Sequence, residues 1–291
     1  MMPEPNHHFA WTADGLRLHA LAWEGDGSRP VILGLPGLTR NARDFLPLAK
    51  GLGGRARLVA TSLRGRGLSG WAADPMTYAL PTYISDTLAL MDGLGLDKVL
   101  VAGTSLGAMV GLGLAATAPG RVAGLILNDL GPELPAAGIA RVRAQVGEGP
   151  GWHEGWASAR AAAEAIRLRD GAIYPGWTLA DWEAHAGRLS VTLPSGWLRF
   201  DCDPGIATPF ADAPAGPEPD LWRLFDQATE GLPVVSVRGA ISDILTADCQ
   251  ARMAARHPCL RAVTVADVGH APCLDEAEAI AAIADVIADL C

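Results

Sequence analysis

The sequence predicts an α/β protein with a mostly parallel central sheet, helices on both faces and a helical insertion after the sixth strand. Three observations carry that prediction. Short apolar runs bounded by turn residues alternate with longer helix-period segments through the first 131 residues. The rhythm then gives way to roughly ninety residues of helical pieces set between Gly- and Pro-rich turns, and resumes near residue 232. With 49% hydrophobic residues in a chain of 291, there is enough apolar surface to bury one large core.

Taken in order, FAWTADGLRLHALAWEG alternates around the Ala-Asp-Gly turn at 13–15 as a hairpin does. PVILGLPG at 30–37 is a continuous apolar run of the kind a buried parallel strand requires. Asn41 is placed to open a helix that buries Phe45, Leu46 and Leu48. ARLVATSL at 56–63 is the next strand, and residues 81–96 have helical periodicity with a glycine stop. KVLVAGTS is a strand, LGAMVGLGLAATAPG a helix ending before Pro119, and VAGLILNDL the sixth strand. After the insertion, LPVVSVRGA (232–240) and LRAVTVADVG (260–269) are strands, and DEAEAIAAIADVIADL is an amphipathic helix. The predicted division is a core of residues 1–131 and 222–291 and a helical cap of residues 132–221.

A formal net charge of −9 with no run of Lys or Arg argues against a nucleic-acid partner. Five cysteines (Cys202, Cys249, Cys259, Cys273 and Cys291) form no CxxC pair, so free thiols are expected rather than a disulfide framework or a structural zinc. The first residues, MMPEPNHHFAWTADG, are polar and lack the apolar core of a secretory signal, and no stretch is long enough to span a membrane. The expectation is a soluble cytoplasmic protein with a small-molecule substrate and no metal. The oligomeric state is not legible.

The stretch VLVAGTSLGAMVG places Ser105 where a strand stops and a helix starts, with Gly103 and Gly107 two residues away on either side. Such a turn is tight enough that a side chain at either flank would meet backbone. It lifts the hydroxyl from the carboxyl edge of the sheet, with the N-terminus of the next helix behind it. A serine needs a base. Of seven histidines, His270 stands directly after the last predicted strand, where Gly269 permits a tight turn and the sheet edge brings it back to Ser105. The base needs a carboxylate to hold its tautomer. Asp243, just past the strand that ends at 240, is favoured over Asp248 in the following helix, Asp267 beside the last strand, and Asp129 at the end of the sixth strand.

An oxyanion hole requires two fixed N–H donors. Leu106 supplies one at the helix start. Leu38 supplies the other from the loop after PVILGLPG, with Gly37 as the alternative, because Pro36 has no N–H. Six of nine tryptophans (Trp152, Trp156, Trp177, Trp182, Trp197 and Trp222) fall in or beside the insertion. Large rings let a small lid bury area. They also suit a substrate cavity, and Trp152, Trp156 and Trp177 are the candidates for lining it.

GLPGLTRN, LRGRGLS at 63–69, GTSLG, RGAISD and VGHAP, with the order Ser105, Asp243, His270, resemble the α/β-hydrolase-fold serine hydrolases of the esterase, lactonase and carbon–carbon hydrolase branch. The resemblance covers nearly all of the chain outside the insertion, which falls where that family places its cap. It implies Ser-His-Asp hydrolysis under a lid with no cofactor. Some serine hydrolases carry the acid at the position of Asp129. Two departures stand out. Pro36-Gly37 replaces the His-Gly of many relatives, and Ser62 replaces an aspartate that would partner Arg64. A serine nucleophile argues against a haloalkane dehalogenase or epoxide hydrolase, which attack through a carboxylate. The favoured function is hydrolysis of a small to medium carboxylic ester or lactone. The alternatives are carbon–carbon bond hydrolysis of aromatic ring-cleavage products, which an arginine facing the cavity (Arg141, Arg143, Arg188 or Arg199) would support, and a ligand sensor with little turnover.

Overall fold

The computed structural model of the chain describes residues 4–211 and 219–290, so residues 212–218 of the expected cap and Cys291 lie outside the description. An eight-stranded sheet forms the centre, in the order β1, β2, β4, β3, β5, β6, β9, β10. β1 (Asn6–Trp11) and β2 (Arg17–Trp23) form the antiparallel hairpin expected at the N-terminus, and β2 runs antiparallel to β4 (Leu58–Ser62). From β4 onward all pairings are parallel, through β3 (Val31–Leu35), β5 (Val99–Thr104), β6 (Val122–Asn128), β9 (Val234–Gly239) and β10 (Leu260–Val265).

The chain leaves β3 in one direction, to β4, and then returns past it to β5 on the other side. The order of strands therefore reverses between β3 and β5, and a crevice opens at their carboxyl ends, where ligands bind in open α/β sheets. Both glycine-bearing loops singled out in the sequence leave from that point.

Alternation along each strand divides the core between the two faces of the sheet. Val99 and Val101 of β5, with Leu33, Leu35, Leu125 and Leu127, bury against α2 (Leu80–Gly93) and α3 (Leu106–Thr117). Leu100 and Ala102, with Ile32, Ile126, Val235 and Val237, face α1 (Leu46–Leu52) and α10 (Ala277–Asp289) on the other side. Burying a leucine or valine contributes ~1.5–3 kcal/mol, so these strands hold the sheet together by being apolar on both faces. Asn41 does cap a helical turn, through a bond from the Arg43 N–H to its side chain, but that turn is a short 3₁₀ segment, Ala42–Phe45, leading into α1.

Between β6 and β9 lie α4 (Ala136–Gln145), α5 (Ala159–Asp170), α6 (Leu179–Leu189), β7 (Ser190–Thr192), β8 (Leu198–Phe200), α7 (Thr208–Ala211) and α8 (Leu221–Thr229). Side-chain caps from Ser158, Thr178 and Asp220 start α5, α6 and α8. The small β7–β8 hairpin was not expected from the helical reading of this segment. Three-residue strands are too short to show a period of two. α9 (Ala247–Arg256), capped by Thr246, joins β9 to β10.

Arg64, which lacks its expected partner at Ser62, finds others. Its side chain is buried and forms paired hydrogen bonds of 2.5 and 2.6 Å to Asp86 of α2, with Asp14 of the β1–β2 turn completing the set. Among the described residues, no helix is long and apolar enough to cross a membrane. Removing one partner of a buried pair leaves the other charge uncompensated. Asp86→Ala is therefore expected to cost about 3 kcal/mol in urea unfolding, and a loss below about 1 kcal/mol would show that Asp14 suffices alone.

Candidate active site

Ser105 follows β5 directly and precedes the first residue of α3, with φ 51° and ψ −115°. That backbone is strained for any residue but glycine, and close packing on both flanks enforces it. A Cβ on Gly107 would stand 1.9 Å from the Leu35 carbonyl oxygen, and one on Gly103 would stand 2.5 Å from the Ala108 nitrogen. Glycine at both places lets α3 start against the ends of β3 and β5. The Ser105 N–H donates to the Asn128 carbonyl at 3.0 Å.

His270 lies in the loop after β10. Its Nε2 is 2.9 Å from Ser105 Oγ, within the range of proton transfer. Its Nδ1 is 2.7 Å from a carboxylate oxygen of Asp129, not of Asp243. This corrects the sequence expectation. Asp129 is the first residue after β6, and its φ of 55° turns the side chain onto the carboxyl edge. There it is wholly buried, receiving the Gly239 N–H at 2.9 Å on one oxygen and Ser242 Oγ at 2.5 Å on the other. Asp243 is held away from the histidine by α4. Gly138 packs so closely on the turn after β9 that a Cβ there would meet the Asp243 carbonyl at 2.2 Å. That contact sets Arg141, one turn later, against the Asp243 carboxylate in a two-pronged bond of 2.5 and 2.6 Å. The Arg141 guanidinium holds the Asp243 carboxyl below its ordinary range. The remaining rivals face solvent: Asp248 has an 81% exposed side chain, and Asp267 is exposed.

Three further residues brace the histidine loop, and the sequence reading missed all of them. Asn128 donates from Nδ2 to Thr104 Oγ1 at 3.0 Å and to the Pro272 carbonyl at 2.8 Å, joining β5 to the loop. From the insertion, the Ile173 carbonyl accepts the Gly269 N–H, and the Tyr174 hydroxyl donates to the Ala271 carbonyl, both at 2.7 Å. Nothing in the local sequence marks these partners, which lie about a hundred residues or more from the loop they hold.

The loop after β3 faces Ser105. A Cβ on Gly37 would be 3.8 Å from Ser105 Cβ, and the Arg40 N–H donates to the Gly37 carbonyl at 3.1 Å. That bond turns the Gly37–Leu38 peptide so that its N–H points the opposite way. The Leu38 carbonyl accepts from Nε of Arg66, a buried arginine against the rings of Tyr78 and Tyr83. Arg66 thus braces the loop where Pro36 replaces the histidine of many relatives. Leu106, the first residue of α3, has an N–H with no carbonyl four residues back in its own helix.

The cavity over Ser105 encloses about 100 Å³. It is lined by Gly37, Leu38, Arg40, Arg141, Arg169 and Tyr174, together with Ser105 and His270. No tryptophan lines it, which corrects the second expectation. Trp152 and Trp156 pack their rings on Phe200, with centroids 5.3 and 4.9 Å apart, filling the insertion's own core. Trp177 stacks at 3.7 Å on Tyr174, one layer behind the cavity wall. The rings supply apolar area where a small layer has little else to bury. Of the arginines considered from sequence, only Arg141 reaches this cavity. Arg188 lines a separate cavity of about 590 Å³, Arg199 stacks on Trp71, and Arg143 is exposed. Among the described residues, no cluster of His, Cys, Asp or Glu is arranged to hold a metal.

The family model described as the alpha/beta hydrolase fold matches residues 30–277. The chain is 36% identical to 3-hydroxybutyrate-oligomer hydrolase of Cupriavidus necator over 94% of each protein. It is 27% identical to 2-(acetamidomethylene)succinate hydrolase of Mesorhizobium japonicum, over 84% of this chain and 82% of that protein. The crystal structure of an alpha/beta hydrolase from Novosphingobium aromaticivorans superposes with a TM-score of 0.90, at 44% identity and 99% coverage of both chains.

Cys273 also lines the cavity, and burial pushes its thiol up to about 12. A protonated thiol is a poor nucleophile. Native protein treated with iodoacetamide near pH 8 is expected to label the exposed Cys259 and spare Cys273, as read by peptide mass spectrometry. Rapid labelling of Cys273 would mean that the cavity is open to solvent.

Proposed function

The chain belongs to the α/β-hydrolase family and is a hydrolase; from that premise we propose that it cleaves carboxylic esters, with Ser105 as nucleophile, His270 as base and Asp129 as the acid that orients it. One observation carries this reading: the unbroken hydrogen-bond chain from Ser105 Oγ through both nitrogens of His270 to Asp129, opening onto the cavity at the sheet's switch point.

Each step follows from that arrangement. His270 Nε2 takes the hydroxyl proton as Ser105 Oγ attacks the ester carbonyl carbon. The carbonyl oxygen becomes an oxyanion that accepts from the N–H groups of Leu38 and Leu106, the first at a turn and the second at a helix start. As the intermediate collapses, the bond to the leaving oxygen breaks, and His270 Nε2 returns the proton to it. A water then loses its proton to His270, attacks the acyl carbon, and frees the acid and Ser105. Asp129 stays ionised throughout, fixing the Nδ1–H tautomer and stabilising the imidazolium.

A small cavity favours a short acyl unit, since sites for drug-sized ligands enclose ~300–1,000 Å³. The similarity to a 3-hydroxybutyrate-oligomer hydrolase along nearly the full length supports a short hydroxy-acid ester. It supports that substrate better than carbon–carbon hydrolysis of ring-cleavage products. The core of residues 1–131 and 222–291 supplies the triad, and residues 132–221 act as the cap over it.

Hydrolysis of p-nitrophenyl acetate and of the linear 3-hydroxybutyrate dimer tests the reading. Ser105→Ala is expected to lose kcat by ~10⁴-fold or more. Asp129→Asn should lose ~10⁴-fold by presenting the wrong tautomer, and Asp243→Asn less than about tenfold. Equal damage from the two aspartate variants would overturn the assignment of Asp129, and turnover surviving in Ser105→Ala would overturn the reading as a whole.

A further inference from the structure

We infer that Arg40 is an anchor for a carboxylate carried by the substrate, so that the ester presented to Ser105 is an anionic one. The inference deepens the ester reading and rests on it only for the identity of the bond cleaved.

Arg40 ends the loop that carries Gly37 and Leu38, and its side chain lies along that loop. A Cβ on Gly37 would sit 3.4 Å from Arg40 Cγ. Arg40 thereby shares the cavity wall with Ser105 and His270.

The charges of the three cavity arginines are met in different ways. Arg141 is paired with Asp243, and Arg169 with Asp170 through bonds of 2.8 and 2.6 Å. Arg40 is held in a looser pair. Its Nη1 donates to His185 Nε2 at 2.9 Å and forms an ion pair with Asp44, also in the cavity wall, at 3.7 Å, longer than a hydrogen bond. Among the described residues, Nε and Nη2 of Arg40 form no hydrogen bond, yet neither is sealed in the interior as an unpartnered polar atom. The side chain is 18% exposed and lines the cavity.

His185 contributes no charge of its own to Arg40. An arginine N–H can only donate, so the shorter contact assigns Nε2 as the acceptor and leaves the ring proton on Nδ1. On the other side of the ring, Nδ1 faces Arg188 Nη2 at 3.3 Å. Burial, together with the cations of Arg40, Arg188 and Arg169, holds the His185 pKa well below its ordinary value. A neutral imidazole between two guanidiniums orients Arg40 without cancelling it. What remains is a rigid, planar donor pair, which matches the two oxygens of a carboxylate.

Binding to protein carrying Ser105→Ala isolates this claim from turnover. The probes are the linear dimer of 3-hydroxybutyric acid and its methyl ester, which share the same inner ester and differ in the free carboxylate. Calorimetry is expected to show the acid bound about tenfold or more tightly than the methyl ester. Adding Arg40→Gln should bring that ratio to about one, and Arg40→Lys should restore part of it, because the charge returns without the fork. Melting curves check that each variant is folded. If Arg40→Gln weakens acid and ester equally, Arg40 only pins the insertion to the core and the inference fails. It also fails if the parent shows no preference for the acid, a result that does not need Arg40→Gln to fold. Failure of the ester reading would appear separately, as turnover that does not depend on Ser105.

Discussion

A single buried carboxylate ties together the parts of this molecule that do chemistry. Asp129 has no exposed surface, and a carboxylate so placed is tolerable only if its oxygens are satisfied. Its donors come from β9, from the turn after β9 and from the loop after β10: Gly239, Ser242 and His270. Three consecutive segments of the sheet's carboxyl edge are therefore fixed relative to β6 by one side chain. Ser242 does more than donate. Its oxygen also accepts the N–H groups of Ile244 and Leu245, so the turn that presents it is itself closed by hydrogen bonds. Gly239 must lack a side chain for the same reason, because a Cβ there would meet the Gly269 carbonyl at 2.3 Å.

The juxtaposition of Ser105 and His270, the proposed nucleophile and base, was legible in the sequence because each has a local physical signature. Gly103 and Gly107 announce a turn that nothing larger can make, and Gly269 before His270 does the same at the end of the last strand. The carboxylate that meets His270 was not legible in this way. Asp129 and Asp243 each follow a strand, each on the same edge, and nothing within a few residues separates them. Arg141 decides the matter, more than a hundred residues from Asp243 in sequence, and a pairing at that distance has no local pattern. The positive φ of Asp129 is equally silent, since aspartate tolerates that region without glycine's signal.

The tryptophans mislead for a different reason. A ring buried in a small layer and a ring lining a cavity have the same composition and neighbours in sequence, and only packing separates them. Here Phe200 collects Trp152 and Trp156, while Trp177 and Trp182 surround Tyr174 and His185. The aromatic cluster stiffens the cavity wall and leaves the wall's surface to arginine, tyrosine and histidine. The fold class was easier to read than the site, because alternation along β5 and its neighbours is a property of each strand by itself. The β7–β8 hairpin, where strands are shortest, is the part of the fold that escaped.

The two bonds that join Ile173 and Tyr174 to the histidine loop bear on what holds the imidazole in place. The layer above the cavity is the second wall of the socket that seats the imidazole. The position of His270 over Ser105 therefore depends on the insertion as well as on the sheet. Two carbonyls, of Ile173 and Ala271, thus join the wall of the cavity to the loop that carries the imidazole.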